Sequence, residues 1–379
     1  MRSERAAVTL LFFLNGAIFS SFFARLPAIK ADLGASDGEL GVALFFATGG
    51  LVVAQPLAGA LAARLGARLP CLIGLALYAL GLPVAAAAPS VAALAGVLFA
   101  MGLANGVLDV AMNVEGVAVE RRRGHRVLSS MHAAFSFGGM TGAGVGGLAA
   151  AAGLDAEVHL AVVAAVMLAG GAVAAIGLPA PRPEEGRGRS FVRPTRRLAL
   201  LGAVAFCVLL AEGSVTDWSA VYLNDGTGAS EGLAAAGLAG FSLTMAIGRL
   251  GGDAVAERLS AGVVIRAGTL LAAAGLGLAL AVAQPAPAIA GYALMGLGLS
   301  ACFPLVVAAS ARRSGDAEAA SIALVSGAGY VGLTAGPALI GLLSDAAGLR
   351  QALLLVLGLS LVAAALAGAA TREDGRTAS

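Results

Sequence analysis

The chain has 379 residues, of which 59% are hydrophobic and 12% are charged, and its mean hydropathy is +0.90. A soluble domain carries about 25% charged residues, so this chain has too few polar side chains to surround a globule in water. The composition excludes a water-soluble globule and predicts a surface that faces a lipid bilayer, and the net charge of +2 indicates no partner.

A membrane-spanning helix needs about 20 predominantly apolar residues. Polar and proline-containing breaks divide the chain into two sets of six candidate spans, at 7–28, 38–62, 69–88, 90–118, 128–152, 157–178, 198–223, 232–256, 262–283, 286–311, 319–343 and 348–369. Their long runs of Ala, Leu, Gly and Val lack the short alternating segments of a β-barrel. We therefore predict an all-α membrane protein with twelve transmembrane helices. An N-terminal bundle (1–178) and a C-terminal bundle (198–370) are joined by a basic linker (179–197), and a tail (371–379) follows.

Arginine distribution predicts the orientation of these spans. With the N-terminus in the cytoplasm, all but three of the 24 Lys and Arg residues fall on cytoplasmic segments, and the exceptions are Arg25, Lys30 and Arg350. Cytoplasmic loops carry such an excess of basic residues, so both termini are predicted to be cytoplasmic. The basic linker fits this rule better than it fits a nucleic-acid patch, and we expect no nucleic-acid partner.

The fourth predicted span carries the strongest candidate site. Asn105, Asp109 and Asn113 are spaced four residues apart and share one helix face. Ionisable groups in membrane helices are costly and normally face the bundle interior or a wet cavity. A carboxylate between two amides suits binding of a hydroxyl-rich solute or reversible proton carriage. The alternative is a structural network that ties this helix to its neighbours.

The fifth predicted span places His132 and Ser136 on one face, again four residues apart. Histidine can titrate near neutral pH, so His132 is a candidate for the site. His132 also lies one to two turns from the cytoplasmic end of the span. A role in a gate or in helix pairing is therefore an equal alternative.

The seventh predicted span carries Glu212, Asp217 and Trp218. Glu212 lies deep in the span and is the second candidate for proton or substrate chemistry. Asp217 lies nearer the outer end, where Arg25 ends the first span, so we predict an Asp217–Arg25 pair as an outer gate. Trp218 is interpreted either as a ring that stacks on a ligand or as an interfacial anchor.

Charged residues also mark the cytoplasmic ends of the second and eighth predicted spans. Arg64 lies at the first of these ends, and Arg249 and Asp253 lie at the second. Charged groups at such positions fit a conformational latch better than a substrate site.

Short sequence matches recur at a constant offset of 194 residues. Met101-Gly102-Leu103 returns as Met295-Gly296-Leu297, and Gly147 is matched by Gly341. A duplicated apolar chain is typical of a transporter built from two related bundles around a central site. The two copies agree at packing glycines and differ at the polar candidates, since Asp109 corresponds to Phe303. The repeat therefore describes the scaffold, and the positions at which the two copies differ predict the site.

Several motifs resemble those of the major facilitator superfamily. The ends of the second and eighth spans are similar to its signature Gly-x-Leu-x-Asp-Arg-x-Gly-x-Arg/Lys, although Ala63 stands where Asp is usual. Closer matches resemble the bacterial fucose-permease-like branch, namely Arg25-Leu26-Pro27-Ala28-Ile29-Lys30, Leu108-Asp109-Val110-Ala111-Met112-Asn113, Ser130-Met131-His132-Ala133, the segment from Glu212 to Leu223, and Gly248-Arg249-Leu250-Gly251-Gly252-Asp253. The resemblance implies two six-helix bundles, a cavity at mid-membrane, alternating access and coupling to protons.

We therefore predict a secondary active transporter of a small polar solute, such as a sugar or a cyclitol, in the bacterial inner membrane. It is expected to be a monomer coupled to protons. The alternative is an efflux carrier for amphipathic compounds, ranked second because aromatic residues make up only 5% of the chain. Enzyme motifs are missing from the sequence, and Cys71, Cys207 and Cys302 are interpreted as packing residues, so we expect no catalysis, metal or cofactor.

Overall fold

The computed structural model describes residues 2–124, 127–178, 195–311 and 318–371, and this part of the chain is helical without any strand. The helices are α1 (Arg2–Ala24), α2 (Leu26–Leu33), α3 (Asp37–Leu65), α4 (Arg68–Ala86), α5 (Val91–Arg123), α6 (Leu128–Ala151), α7 (Ala156–Gly177), α8 (Arg196–Val221), α9 (Glu231–Arg258), α10 (Ala261–Val282), α11 (Pro285–Leu299), α12 (Cys302–Ala311), α13 (Glu318–Ala347) and α14 (Leu349–Thr371). A π-helical turn (Tyr222–Gly226) follows α8. Most of the predicted linker and tail lies outside the described residues.

Eleven helical stretches of the described chain are long and apolar enough to cross a membrane, and α11 and α12 together form one of them. The remaining predicted span, the fifth (128–152), corresponds to α6, a helix of 24 residues. Helix α6 carries several glycine and serine residues and His132, and it is not among the eleven stretches. With α6 included, two sets of six helices result, and the predicted fold class is confirmed.

Each set of six packs as a bundle. In the first half α1 packs on α6 and α7, and α5 packs on α3 and α4; in the second half α8 packs on α13 and α14, and α11 packs on α9 and α10. Small residues allow these backbones to approach closely, as lipid supplies no hydrophobic force between helices. A Cβ atom at Gly102 in α5 would collide with the carbonyl oxygen of Ala47 in α3.

Two helix pairs join the halves: α6 packs on α9, and α3 packs on α13. Both pairs approach closely where α6 and α13 end and where α9 and α3 begin. A Cβ atom at Gly232 would lie 2.8 Å from the Ala151 side chain, and one at Gly38 would collide with the Asp345 carboxylate. We call this side of the molecule, at which α1 and α8 also end, the Lys30 end, and the opposite side the Arg64 end.

Ion pairs and hydrogen bonds close the Lys30 end. Lys30 Nζ lies 2.6 Å from Asp37 in its own half and 2.7 Å from Asp225 in the other half. Asp345 accepts hydrogen bonds from Ser36 Oγ and Gly38 N, both at 2.9 Å. We call these contacts the Lys30 clamp. The halves are thus held together by charge-assisted hydrogen bonds on this side.

Candidate functional site

A cavity of about 290 Å³ lies between the two bundles. Helices α1, α3, α4, α5 and α6 line it from the first half, and α8, α9, α12 and α13 line it from the second. A central cavity shared by two bundles is where a carrier of this architecture binds its substrate.

Helix α5 brings Asn105 and Asp109 to the cavity wall. Ser90 is the N-cap of α5, and its hydroxyl accepts a hydrogen bond from Ala93 N at 3.2 Å. Asn113 does not line the cavity, but its Nδ2 donates to the Asp109 carbonyl at 2.8 Å and to Asp109 Oδ1 at 3.3 Å. Within the described chain Asn105 Oδ1 is buried and accepts no hydrogen bond. The Asp109 carboxylate is oriented by an amide rather than neutralised by a cation.

Glu212 in α8 and Arg249 in α9 also line the cavity and form an ion pair, with Oε1 and Nη2 3.4 Å apart. Arg249 Nη1 donates to Ser136 Oγ of α6 at 3.0 Å. The guanidinium group thus bridges the two halves of the molecule. Ser136 itself is buried, and its hydroxyl also approaches the His132 carbonyl at 3.5 Å.

The position of Arg249 differs from the helix end at which the sequence placed it. Helix α9 continues to Arg258, nine residues beyond Arg249, so Arg249 lies about 13 Å before the helix ends. Its side chain contacts cavity groups rather than the helix terminus. Arg64 is exposed in the last turn of α3, and the side chain of Asp253 lies outside the described residues.

His132 in α6 lines the cavity. Its ring meets Phe12 of α1 edge to face, with ring centroids 5.0 Å apart. This contact fixes the ring of His132 against its own half. His132 therefore contributes both to the cavity wall and to helix packing, the two alternatives that its sequence position left open.

The predicted pairing of Asp217 with Arg25 at an outer gate is wrong. Asp217 lines the cavity, but Arg25 Nη2 donates to the Leu154 carbonyl at 2.7 Å, and no ion pair joins Arg25 to Asp217 in the part of the chain that the structure describes. Arg25 lies beyond the end of α1 and turns toward α7 of its own half. The Lys30 clamp makes the cross-half contact instead.

Trp218 is fully buried and does not line the cavity. Helix α8 is buried on every face near this residue, and Asp217 turns to the cavity while the indole turns into the packed core. Neither predicted role for Trp218 is supported, because stacking on a ligand requires the cavity and interfacial anchoring requires the surface.

Aromatic residues of the cavity were missed at the level of sequence. Seven of the chain's few aromatic rings line it, and these are Phe19, Phe22, Phe23, Tyr78, Phe135, Phe303 and Tyr330. The spacing of the three in α1, at i, i+3 and i+4, places them on one helix face and is the signal that could have identified them. A low aromatic content therefore does not imply a cavity without aromatic rings.

Known proteins similar to this chain point to one family. The family model described as Major Facilitator Superfamily matches residues 8–249 and 201–379. An uncharacterised MFS-type transporter of Yersinia pestis is 34% identical over 372 residues, which are 98% of this chain and 96% of that protein. Membrane protein MosC of Rhizobium meliloti is 27% identical over 363 residues, covering 94% of this chain and 88% of that protein.

Solved structures agree in fold. A bacterial homologue of the human lysosomal transporter Spinster, in an inward-facing and occupied conformation, aligns with a TM-score of 0.78 at 15% identity over 97% of this chain and 96% of that one. The nucleoside transporter NupG aligns with a TM-score of 0.73 at 14% identity, over 98% and 100% of the two chains. At these identities the likeness concerns the fold alone. Because the family model spans most of the chain and the relative from Yersinia pestis matches nearly all of it, this chain belongs to the Major Facilitator Superfamily, a family of membrane transporters rather than enzymes.

Proposed function

We propose that this transporter moves a small polar solute, such as a sugar or a cyclitol, by alternating access coupled to protons at Asp109. The observation that carries the proposal is the contrast between Asp109 and Glu212, two of the three carboxylates that line the cavity. Glu212 is paired with Arg249, whereas Asp109 has no ion pair with a described residue and contacts only an amide. An uncompensated carboxylate in a membrane cavity is suited to take up and release a proton.

The other polar groups of the cavity are proposed to bind the solute. Asn105 offers an amide oxygen that accepts no hydrogen bond from a described residue, and Thr48 and Tyr330 add hydroxyl-bearing side chains to the cavity wall. Sugars and cyclitols present hydroxyl groups at their edges and carbon–hydrogen faces above and below the ring. The polar groups suit the edges, and the aromatic rings suit the faces.

We further propose that residues 1–178 and 198–370 move as two bodies joined by the basic linker at 179–197. The protein is proposed to act as a monomer in the bacterial inner membrane with both termini in the cytoplasm. The Lys30 end then faces outward, and its closure corresponds to an inward-facing state. The resemblance of motifs to the fucose-permease-like branch supports a sugar-type solute.

The Asp109→Asn variant tests proton coupling. A thermal-shift screen of sugars, polyols and amino sugars first identifies a solute, because binding to the folded state raises its apparent stability. In liposomes the variant is expected to lose accumulation driven by a pH gradient while it retains solute exchange without a gradient. Glu157→Gln, which removes an exposed carboxylate at the start of α7, is the matched control. Gradient-driven accumulation that survives in Asp109→Asn would refute the coupling role.

Export of amphipathic compounds is the second candidate, and the seven aromatic rings of the cavity favour it. Aromatic and apolar walls bind ligands through buried area with few directional contacts. A deletion strain that becomes hypersensitive to amphipathic drugs without losing growth on any solute would place this function first. Unchanged drug sensitivity together with loss of growth on a sugar or polyol would support the first candidate.

A further inference from the structure

Asp217 is an unpaired carboxylate at the closed end of the cavity. Its exposed fraction is 5%, it lines the cavity, and it forms no ion pair with any described residue. It lies four residues before the end of α8, on the side that the Lys30 clamp closes. Burial of a carboxylate without a partner carries a free-energy penalty. A cationic ligand that pairs with Asp217 would offset much of this penalty.

Three aromatic rings of α1 lie at the same depth on the opposite half. The 194-residue repeat relates Phe19, Phe22 and Phe23 to Gly213, Thr216 and Asp217, and all six residues line the cavity. Asp217 thus faces the ring cluster across the pseudo-symmetry axis. The centroid of Phe23 lies 4.9 Å from that of Phe19 and 5.3 Å from that of Phe22. The three rings form one continuous aromatic surface.

Arg249 is the only Lys or Arg among the described residues that line the cavity. Its guanidinium group is held by Ser136 and by Glu212, which lies five residues before Asp217 in α8, about 7.5 Å along the helix. Arg25 turns its Nη2 to the Leu154 carbonyl, as described above. A carboxylate beside aromatic rings is the environment that recognises an organic cation, through charge pairing and cation–π attraction.

We propose that the closed end of the cavity is a subsite for a protonated or quaternary amine, held by the Asp217 carboxylate and the rings of Phe19, Phe22 and Phe23. This inference rests on the proposed transport of a small polar solute and narrows its class to solutes that carry an amine. The ammonium group pairs with Asp217 and lies against the rings, while the remaining hydroxyl groups reach Asn105 and Asp109 farther along the cavity.

Two matched pairs of compounds test the subsite on the purified full-length protein. Glucosamine is paired with glucose, and choline is paired with its neutral isostere 3,3-dimethylbutan-1-ol. The concentration dependence of Tm gives an apparent affinity for each compound. At least one amine is expected to bind roughly ten-fold more tightly than its neutral partner, since a charge-assisted contact is lost with the charge.

Variants separate the subsite from a general loss of fold. Asp217→Asn is expected to remove the preference for the amine, Asp217→Glu to restore part of it, and Phe23→Leu to weaken amine binding more than neutral binding. Glu157→Gln, on the surface and outside the cavity, should keep the preference and serves as the control. A Tm of each unliganded variant close to that of the parent protein shows that it folds.

Neutral compounds that bind as tightly as the amines overturn the inference, as does an amine preference that persists in Asp217→Asn. A lack of response to both amines overturns it as well. Binding of glucose with no gain for glucosamine leaves the proposed transport function standing. Conversely, amine-selective binding together with flux that ignores a pH gradient would support the subsite and refute the proton coupling proposed at Asp109.

Discussion

Arg249 is the residue at which the two halves meet inside the cavity. Its guanidinium group contacts Glu212 of its own half at 3.4 Å and Ser136 of the other half at 3.0 Å. In the proposed motion of two bodies, a separation of α6 from α9 would break the contact of Arg249 with Ser136 and leave the ion pair within one half intact. Arginine suits such a bridge because its planar guanidinium group carries several N–H donors. One nitrogen can keep its partner while another nitrogen releases a different partner.

Removal of the arginine charge should destabilise the protein by isolating Glu212. We expect Arg249→Gln to cost roughly 1–2 kcal/mol, less than a fully buried pair costs, because about a fifth to a quarter of each side chain is exposed. The double variant Arg249→Gln/Glu212→Gln should recover part of the loss, since it leaves no uncompensated charge. Thermal unfolding of the purified variants measures both effects. A double variant less stable than the single one would contradict this account.

Helix pairs α3–α13 and α6–α9 form the interface between the halves, and the repeat explains why. An offset of 194 residues carries α3 onto α9 and α6 onto α13, so each pair is the symmetry mate of the other. The correspondence extends to single contacts. Gly38 and Asp345 approach each other as Gly232 and Ala151 do, and these positions are related by the same offset. Small residues at the crossing points let the two interfaces form and separate.

Gly41 in α3 tests this interface. A Cβ atom there would collide with the Pro337 carbonyl oxygen of α13 and lie 3.1 Å from Gly341 Cα, so backbone would have to move. We expect Gly41→Ala to lower Tm, at a cost of roughly 1–3 kcal/mol, despite the better helix propensity of alanine.

Gly49 in the same helix is the matched control, because a Cβ atom there meets nothing within 4 Å. Gly49→Ala should leave Tm unchanged or raise it slightly. Equal effects of the two substitutions would show that the α3–α13 contact does not limit stability.

At the scale of the whole molecule, the Lys30 clamp holds one end of the carrier closed. Burial by itself lowers the pKa of Lys30, but hydrogen bonds to the carboxylates of Asp225 and Asp37 outweigh it and raise the pKa above the ordinary value. A lysine whose pKa is raised in the closed state stabilises that state fully when the pH is below the ordinary lysine pKa of about 10.4. The stabilisation is lost as the pH rises through the raised pKa. The clamp is therefore fully present at physiological pH.

Lys30 is the single lysine of the chain, so its chemical modification reports opening of this end. Asp225→Asn removes the cross-half partner and is expected to speed modification of Lys30 by an amine-reactive reagent several-fold at pH 8, as read by mass spectrometry of the peptide. The parent protein should be modified slowly from pH 7 to 9.

Asp32→Asn is the control, because Asp32 is an exposed acid two residues from Lys30 and forms no ion pair with it. The rate of modification should not change in this variant. An equal increase in both variants would attribute the effect to local charge rather than to opening of the clamp.

Sequence reasoning predicted the scaffold more fully than the site. Span length and apolar composition are local properties, so the twelve membrane spans could be counted without a structure. Asp109 and Glu212 could be singled out because carboxylates are rare in membrane helices. The partners of Arg25 and Arg249 could not be predicted, since they depend on how helices far apart in the chain are rotated and translated against each other.

The sequence by itself determined that this protein lies in lipid, how many spans it has and that its two halves repeat, because lipid requires long apolar helices with paired backbone groups. Only the tertiary structure decided which polar groups meet. It gathered seven of the few aromatic rings around one cavity, paired Glu212 with Arg249 and gave Asp217 no ion pair with any described residue. Such contacts arise from packing between helices, and their geometry is not written in the periodicity of any single helix.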